Sequence, residues 1–66
     1  MAAEQWPELV GRPADEAVAL IRRTNPGIVQ VPVVADGSAV TMDFREDRVR
    51  VFTDARGHVT RIPRVG

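Results

Sequence analysis

The chain has 66 residues, nine acidic and nine basic side chains, and no cysteine. A chain this short buries only about 60% of its unfolded surface, so it can form one small core, without disulfide support. The balanced charge argues against a nucleic-acid binder, and no apolar run approaches the ~20 residues that a membrane span needs.

These limits predict a single domain over residues 1–66 that behaves as a monomer. Residues 1–5, MAAEQ, lack the basic start and apolar stretch of a signal peptide, and we expect them to be frayed. A cytosolic protein and the mature form of a secreted or vacuolar one both remain open. The segment WPELVG at 6–11 predicts a packed entry to the domain, with Trp6 as a core anchor.

Residues 14–23, ADEAVALIRR, predict one helix. Apolar side chains recur there at three- and four-residue spacing, which gives a narrow apolar stripe. The acidic first turn and the arginines of the last turn both match the helix dipole. The sequence Asn25-Pro26-Gly27 then ends the helix.

The following segments predict strands. Residues 28–34, IVQVPVV, are β-branched and dense enough in apolar side chains to predict burial, although Pro32 indicates an edge or a bulge. Residues 48–53 alternate, with two valines on one face and two arginines and a phenylalanine on the other. A tight turn at 54–57, with its glycine left-handed, leads to a short strand or extended tail at 58–65.

Together these elements predict an α+β fold with one helix packed on a small mixed sheet. The expected core consists of Trp6, Leu9, Val18, Ile21, Val31, Val49, Val51 and Ile62.

Residues 35–47 form a long segment without convincing periodicity. Loops of this length in small domains are usually functional or disordered, and disordered segments are poor in apolar side chains. This loop contains a valine, a methionine and a phenylalanine, which favours a functional loop. Met42 stands between polar Thr41 and Asp43, so we interpret it as presented to a partner rather than folded back into the core.

Arg48 and Arg50 allow two interpretations. They form a solvated strand face, or they reach across to Asp43, Thr41 or the C-terminal carboxylate. Their two-residue separation places both on one face beside the loop. The acidic pair at 46–47 is interpreted as solubilising the loop end rather than as an anchor.

Nothing in the sequence predicts an enzyme. His58 follows a turn glycine, and no zinc spacing, phosphate loop or nucleophile elbow is present, so we expect a surface histidine, no metal site and no cofactor. A membrane partner is not expected either. Zero net charge and only three aromatic residues argue against a nucleic-acid interface. Such an interface would use Arg45, Arg48, Arg50, Arg56 and Arg61.

Four blocks of the chain together resemble the potato inhibitor I family. They are WPELVG at 6–11, EA at 16–17, VTMDF-R-DRVRVF within 40–52, and PRVG at 63–66. The resemblance covers nearly the whole chain, from Trp6 to Gly66. It implies a serine protease inhibitor that works by the standard, substrate-like mechanism through a long exposed loop.

The resemblance also implies the site. The reactive-site bond would lie between Met42 and Asp43, with Met42 entering the primary specificity pocket of the protease. A long apolar side chain there implies subtilisin-like and chymotrypsin-like targets, elastase-like ones to a lesser extent, and poor inhibition of trypsin, whose pocket requires a cation. The protease-binding loop would comprise Ser38, Ala39, Val40, Thr41, Met42, Asp43, Phe44 and Arg45.

The same resemblance implies that the loop is supported from beneath. Arg48 and Arg50 would reach Thr41 and Asp43, with the Gly66 carboxylate as a further acceptor. The alternative function is a non-inhibitory protein-binding module that uses the same loop.

Two departures from the family pattern carry expectations of their own. Pro13 stands where Ser or Thr is usual, which removes the side-chain cap of the helix. The segment 26–41 is about one residue longer than usual, which predicts a bulge near 34–36.

Overall fold

The computed structural model of the protein describes residues 3–66. In chain order its elements are a 3₁₀ turn at Pro7–Leu9, helix α1 at Ala14–Thr24, strand β1 at Val33–Ala35 and strand β2 at Val51–Thr53. The two strands pair in parallel, and antiparallel bridges join Thr53 to Val59 and Val49 to Val65. The predicted α+β fold, with one helix on a small mixed sheet, is confirmed. None of the helices in residues 3–66 is long and apolar enough to cross a membrane.

Helix α1 has the predicted start and ends one residue later than predicted. Pro13 provides no side-chain cap, and the Ala14 amide instead donates to the main-chain oxygen of Gly57 at 2.9 Å. Asp15 Oδ1 accepts from the Glu16 amide at 2.9 Å, which keeps an acidic group at the positive end of the helix dipole. At the other end the Asn25 amide closes the last turn.

The first strand is shorter than predicted. Only Val33–Ala35 pairs regularly with β2, and the segment before it contributes a single parallel bridge from Gln30 to Arg48. The predicted burial is confirmed only in part, because Ile28 is buried but Val29 and Val33 are exposed. β1 is an edge strand, which Pro32 indicated. The register runs without interruption through β1, so the predicted bulge is absent there.

The C-terminal segment pairs through isolated bridges and does not form a regular strand. The turn before it is as predicted, with Gly57 at φ +80°, in the left-handed region that glycine favours. Asp54 Oδ1 accepts from the amides of Arg56 and His58 at 2.9 and 3.0 Å. These bonds, the His58 amide foremost, lower the pKa of Asp54 below its usual value.

The start of the described chain is paired rather than frayed. Asn25 Nδ2 donates to the Ala3 oxygen at 2.8 Å, and the Val65 amide donates to the Glu4 oxygen at 3.0 Å. Gln5 also bridges to the C-terminal segment. The expectation of fraying is therefore wrong for residues 3–5, while Met1 and Ala2 lie outside the described residues.

The core lies between α1, β2 and the entry segment. Trp6 is buried as predicted, and its Nε1 donates to Thr24 Oγ1 at 2.8 Å. Ile62 was placed in the core wrongly because it is 40% exposed, and Val18 is only partly buried. The buried hydrophobic residues are Trp6, Leu9, Ala17, Ile21, Ile28, Val49, Val51 and Val59, with Val31 partly buried against them.

Candidate functional site

The loop that was singled out from the sequence is exposed in the structure. Residues 38–45 contain no helix or strand. Met42 is 96% exposed and Phe44 is 69% exposed, whereas Val40 is partly buried. Met42 therefore does not fold back into the core, and its side chain is the most freely presented apolar group of the loop. The other predicted loop residues, Ser38, Ala39, Thr41, Asp43 and Arg45, are also exposed.

Arg48 joins the loop to the C-terminal segment. Its Nη2 donates to the Asp43 main-chain oxygen at 2.7 Å, and its Nη1 lies 3.4 Å from Asp43 Oδ2. Its Nε donates to the Gly66 oxygen at 2.9 Å. The side chain is only 9% exposed, so the solvated-face interpretation is wrong for Arg48. Its burial depends on these acceptors, because a buried cation without partners is strongly unfavourable.

Arg50 lies two residues after Arg48, directly before β2, and reaches the same loop. Its Nη2 donates to Thr41 Oγ1 at 2.6 Å and lies 3.8 Å from Asp43 Oδ1. The pKa of Asp43 lies below its usual value, chiefly because the Thr41 side chain hydrogen-bonds to the carboxylate, with a further contribution from Arg48. The guanidinium groups of Arg48 and Arg50 thus form one network with the Thr41 hydroxyl and the Asp43 carboxylate. This network holds both residues that flank Met42.

The C-terminal end of the loop is anchored at Asp47. Its main-chain oxygen accepts from the amides of Val29 and Gln30 at 2.8 and 3.0 Å. Its carboxylate accepts from Arg45 Nε at 3.1 Å, which lowers the pKa of Asp47 and raises that of Arg45. The interpretation of Asp47 as merely solubilising is therefore wrong. A main-chain anchor of this kind leaves no side-chain signal in a sequence.

The N-terminal end of the loop begins with a tight turn. The Ser38 amide donates to the Ala35 oxygen at 3.0 Å, and Gly37 takes φ +91°. The Asp36 side chain is paired with Arg61, at 2.7 Å from Nη2 to Oδ1. The sequence-based expectations did not include this contact, since the two residues are far apart in the chain and follow no local spacing.

This arrangement holds the loop in place through side-chain and main-chain contacts. Within residues 3–66, no three His, Cys, Asp or Glu side chains are grouped to hold a metal ion. Several of the arginines that a nucleic-acid interface would need are instead paired with carboxylates: Arg45, Arg48, Arg50 and Arg61. The fold and the site therefore define a small domain that displays an exposed loop supported by side-chain and main-chain contacts.

Comparisons with known proteins agree with that class. The model of the potato inhibitor I family matches residues 2–66. A wound-induced proteinase inhibitor 1 of Solanum peruvianum is 52% identical over 60 residues, which cover 91% of this chain and 54% of that protein. A Glu S. griseus protease inhibitor of Momordica charantia is 51% identical over 61 residues, covering 92% of this chain and 88% of that protein. The chain thus spans about half the length of the Solanum relative.

The solved structures that resemble this chain are also those of protease inhibitors. The crystal structure of bitter gourd trypsin inhibitor has a TM-score of 0.94 and 42% identity, covering 100% of this chain and 96% of that one. The solution structure of Cucurbita maxima trypsin inhibitor-V has a TM-score of 0.73 and 40% identity, covering 98% and 94%. The chain belongs to the potato inhibitor I family of serine protease inhibitors. These relatives are inhibitors and not enzymes, in agreement with the sequence-based prediction.

Proposed function

We propose that this chain inhibits serine proteases by the standard, substrate-like mechanism, with Met42–Asp43 as its reactive-site bond. The observation that carries the proposal is a contrast between neighbouring residues. Met42 is 96% exposed, whereas Asp43 is bonded to Arg48 through both its main chain and its side chain. The side chain that enters the protease is free, and the residue after it is fixed.

The support network favours the tight binding and slow cleavage that the proposed mechanism requires. A protease binds a substrate-like loop through main-chain hydrogen bonds and side-chain pockets. A loop already held in position loses little conformational entropy on binding, which raises affinity. Cleavage would leave the new amine on Asp43, which Arg48 and Arg50 hold in place. The amine then stays beside the acyl group and the peptide bond re-forms.

The proposed targets follow from the chemistry of Met42. A long, flexible, apolar side chain suits the apolar primary pockets of subtilisin-like and chymotrypsin-like proteases, and elastase-like ones less well. Trypsin requires a cation at this position, which Met42 lacks. We expect weak trypsin inhibition, although two structural relatives are named as trypsin inhibitors.

The test is a titration of subtilisin, chymotrypsin and trypsin with the protein, followed by mass spectrometry of the inhibitor. The expected result is equimolar inhibition of subtilisin and chymotrypsin, weak inhibition of trypsin, and one slow cleavage after Met42. Rapid degradation at many sites would contradict the proposal. An intact protein that inhibits none of the three would favour the non-inhibitory binding module.

A further inference from the structure

The N-terminal end of the loop has a support of its own. Arg61 Nη2 lies 2.7 Å from Asp36 Oδ1, and Arg61 Nε donates to the same oxygen at 2.9 Å. Asp36 lies in the turn from which the loop residues 38–41 leave the sheet. The ion pair is separate from the Arg48 and Arg50 network, because neither of its two residues takes part in that network.

Contacts other than the ion pair with Asp36 also hold Arg61 in position. Its guanidinium carbon lies 4.3 Å from the centroid of the Phe52 ring, within the range of a cation–π contact. The Thr60 amide and Oγ1 both donate to the Phe52 oxygen, at 2.9 and 3.3 Å. The chain next to Arg61 is therefore fixed beside β2, and the side chain lies over a residue of that strand.

Asp36 is fixed to the same strand. Its amide donates to the Thr53 oxygen at 2.7 Å, directly after the last paired residue of β1. The ion pair therefore connects two points that β2 already holds, so few conformations are lost when it forms. Asp36 and Gly37 form the turn, so the direction in which the loop departs depends on how Asp36 is oriented.

The loop arm between these supports has few contacts of its own. Among the main-chain hydrogen bonds formed within residues 3–66, none involves residues 39–41. Thr41 is held through its side chain by Arg50, and Ser38 by the turn. The course of the arm is thus set from its two ends.

We propose that Arg61 is a positioning residue for the reactive-site loop, directing the arm at 38–41 through its ion pair with Asp36. This inference rests on the proposed inhibitory function of the loop. The side chains of Arg61 and Asp36 are 54% and 39% exposed, and exposed ion pairs contribute little to global stability. A positioning effect can therefore be separated from a loss of folding.

The test compares Arg61→Ala and Asp36→Asn with Arg56→Ala, which removes an exposed arginine from the turn at 54–57. Arg61→Ala and Asp36→Asn should each raise the inhibition constant for subtilisin roughly threefold to tenfold and speed cleavage after Met42 by a similar factor. Their thermal unfolding should match that of the control. The charge exchange Asp36→Arg with Arg61→Asp should restore part of the lost inhibition.

Amide exchange of the free protein provides a readout that needs no protease. Arg61→Ala should accelerate exchange at Ser38 and leave the amides of α1 unchanged. If the unaltered chain inhibited no protease, the proposed function would fail, while the exchange data would still decide whether Arg61 orders the arm. Unchanged exchange at Ser38, or an equal acceleration throughout α1, would overturn the inference.

Discussion

Arg48 Nη2 donates to the main-chain oxygen of Asp43 at 2.7 Å, so the loop is held by its backbone as well as by a side chain. A bond to a carbonyl persists when the residue at that position is replaced. A guanidinium group can make it together with the 3.4 Å contact to the carboxylate because its donors lie in a rigid fork. The point at which the loop is fixed is thus one residue beyond the exposed Met42.

Replacement of Arg48 should affect both folding and inhibition. Arg48→Ala leaves the Asp43 and Gly66 oxygens without a donor and opens a buried space, which should lower the free energy of unfolding by about 1–3 kcal/mol. Arg48→Lys retains the charge but not the fork, so it should recover only part of that loss. Chemical denaturation and subtilisin inhibition measure the two effects. An alanine variant as stable and as inhibitory as the original would contradict the role given to Arg48.

Replacement of Arg50 should act mainly on the loop. Arg50→Ala removes the 2.6 Å bond to the exposed Thr41 hydroxyl, which should cost about 0.5–1.5 kcal/mol of loop order, or roughly twofold to tenfold in inhibition. Cleavage after Met42 should become faster. Enzyme titration and mass spectrometry test this, with Arg56→Ala as the charge-matched control. The idea of a support by Arg50 is wrong if affinity and cleavage rate both stay the same.

Acid should loosen the loop through Asp43. Its pKa in the folded protein lies below the value of an unfolded chain, so its carboxylate stabilises the fold above the unfolded pKa of ~3.9. That contribution disappears as the pH falls through the folded-state pKa. Thermal unfolding from about pH 7 to about pH 2 should show a steeper loss for the original chain than for Asp43→Asn. The variant retains Asp47 and Asp54, whose carboxylates also have lowered pKa values, so their contribution is the same in both proteins. Identical slopes would exclude the contribution.

A change at Met42 should alter the target without altering the fold. Met42→Arg supplies the cation that the trypsin pocket needs, so inhibition should shift from chymotrypsin to trypsin. Because the Met42 side chain is 96% exposed, thermal unfolding should not change. Titration of both proteases checks the shift. Failure of the variant to inhibit trypsin, with folding intact, would place the reactive-site bond elsewhere.

Peroxide should inactivate the inhibitor at the same residue. Hydrogen peroxide converts the Met42 thioether to the sulfoxide, with release of water, and so makes an apolar side chain polar. Inhibition of chymotrypsin should fall after treatment and return on reduction of the sulfoxide. Met42→Leu keeps Met1 as its remaining methionine and should stay active in peroxide. Equal sensitivity of the two proteins would rule out Met42 as the site.

Local patterns predicted the helix well because its signals are short-range. Apolar spacing, the charges of its end turns and the Asn25-Pro26-Gly27 stop all lie within the segment itself. The core was harder, since it depends on how segments pack. Ile62 is as apolar as Ile28, yet it is exposed and Ile28 is buried. Their burial differs because the C-terminal segment that contains Ile62 lies beside β2, a position that its sequence does not indicate.

The contacts that support the loop likewise depend on how segments pack and not on short-range patterns. The bonds from Arg48 and Arg50 to the loop were one of two interpretations that the two-residue spacing allowed, and the family resemblance implied them. Asp47 holds the loop through its main-chain oxygen, which every residue type has. Arg61 and Asp36 meet only because both lie against β2. Contacts that depend on tertiary placement leave no periodic trace in a sequence.

The parallel pairing of β1 with β2 determines what cleavage would do to the molecule. Parallel strands need a crossover of about a dozen residues or more, and residues 36–50 form that crossover. Cutting Met42–Asp43 severs it and leaves α1 and β1 in one fragment and β2 in the other. Trp6 and Ile21 would belong to the first fragment and Val49 and Val51 to the second. The nicked protein is thus a two-chain complex with a divided core, and neither chain can leave without exposing its half to water.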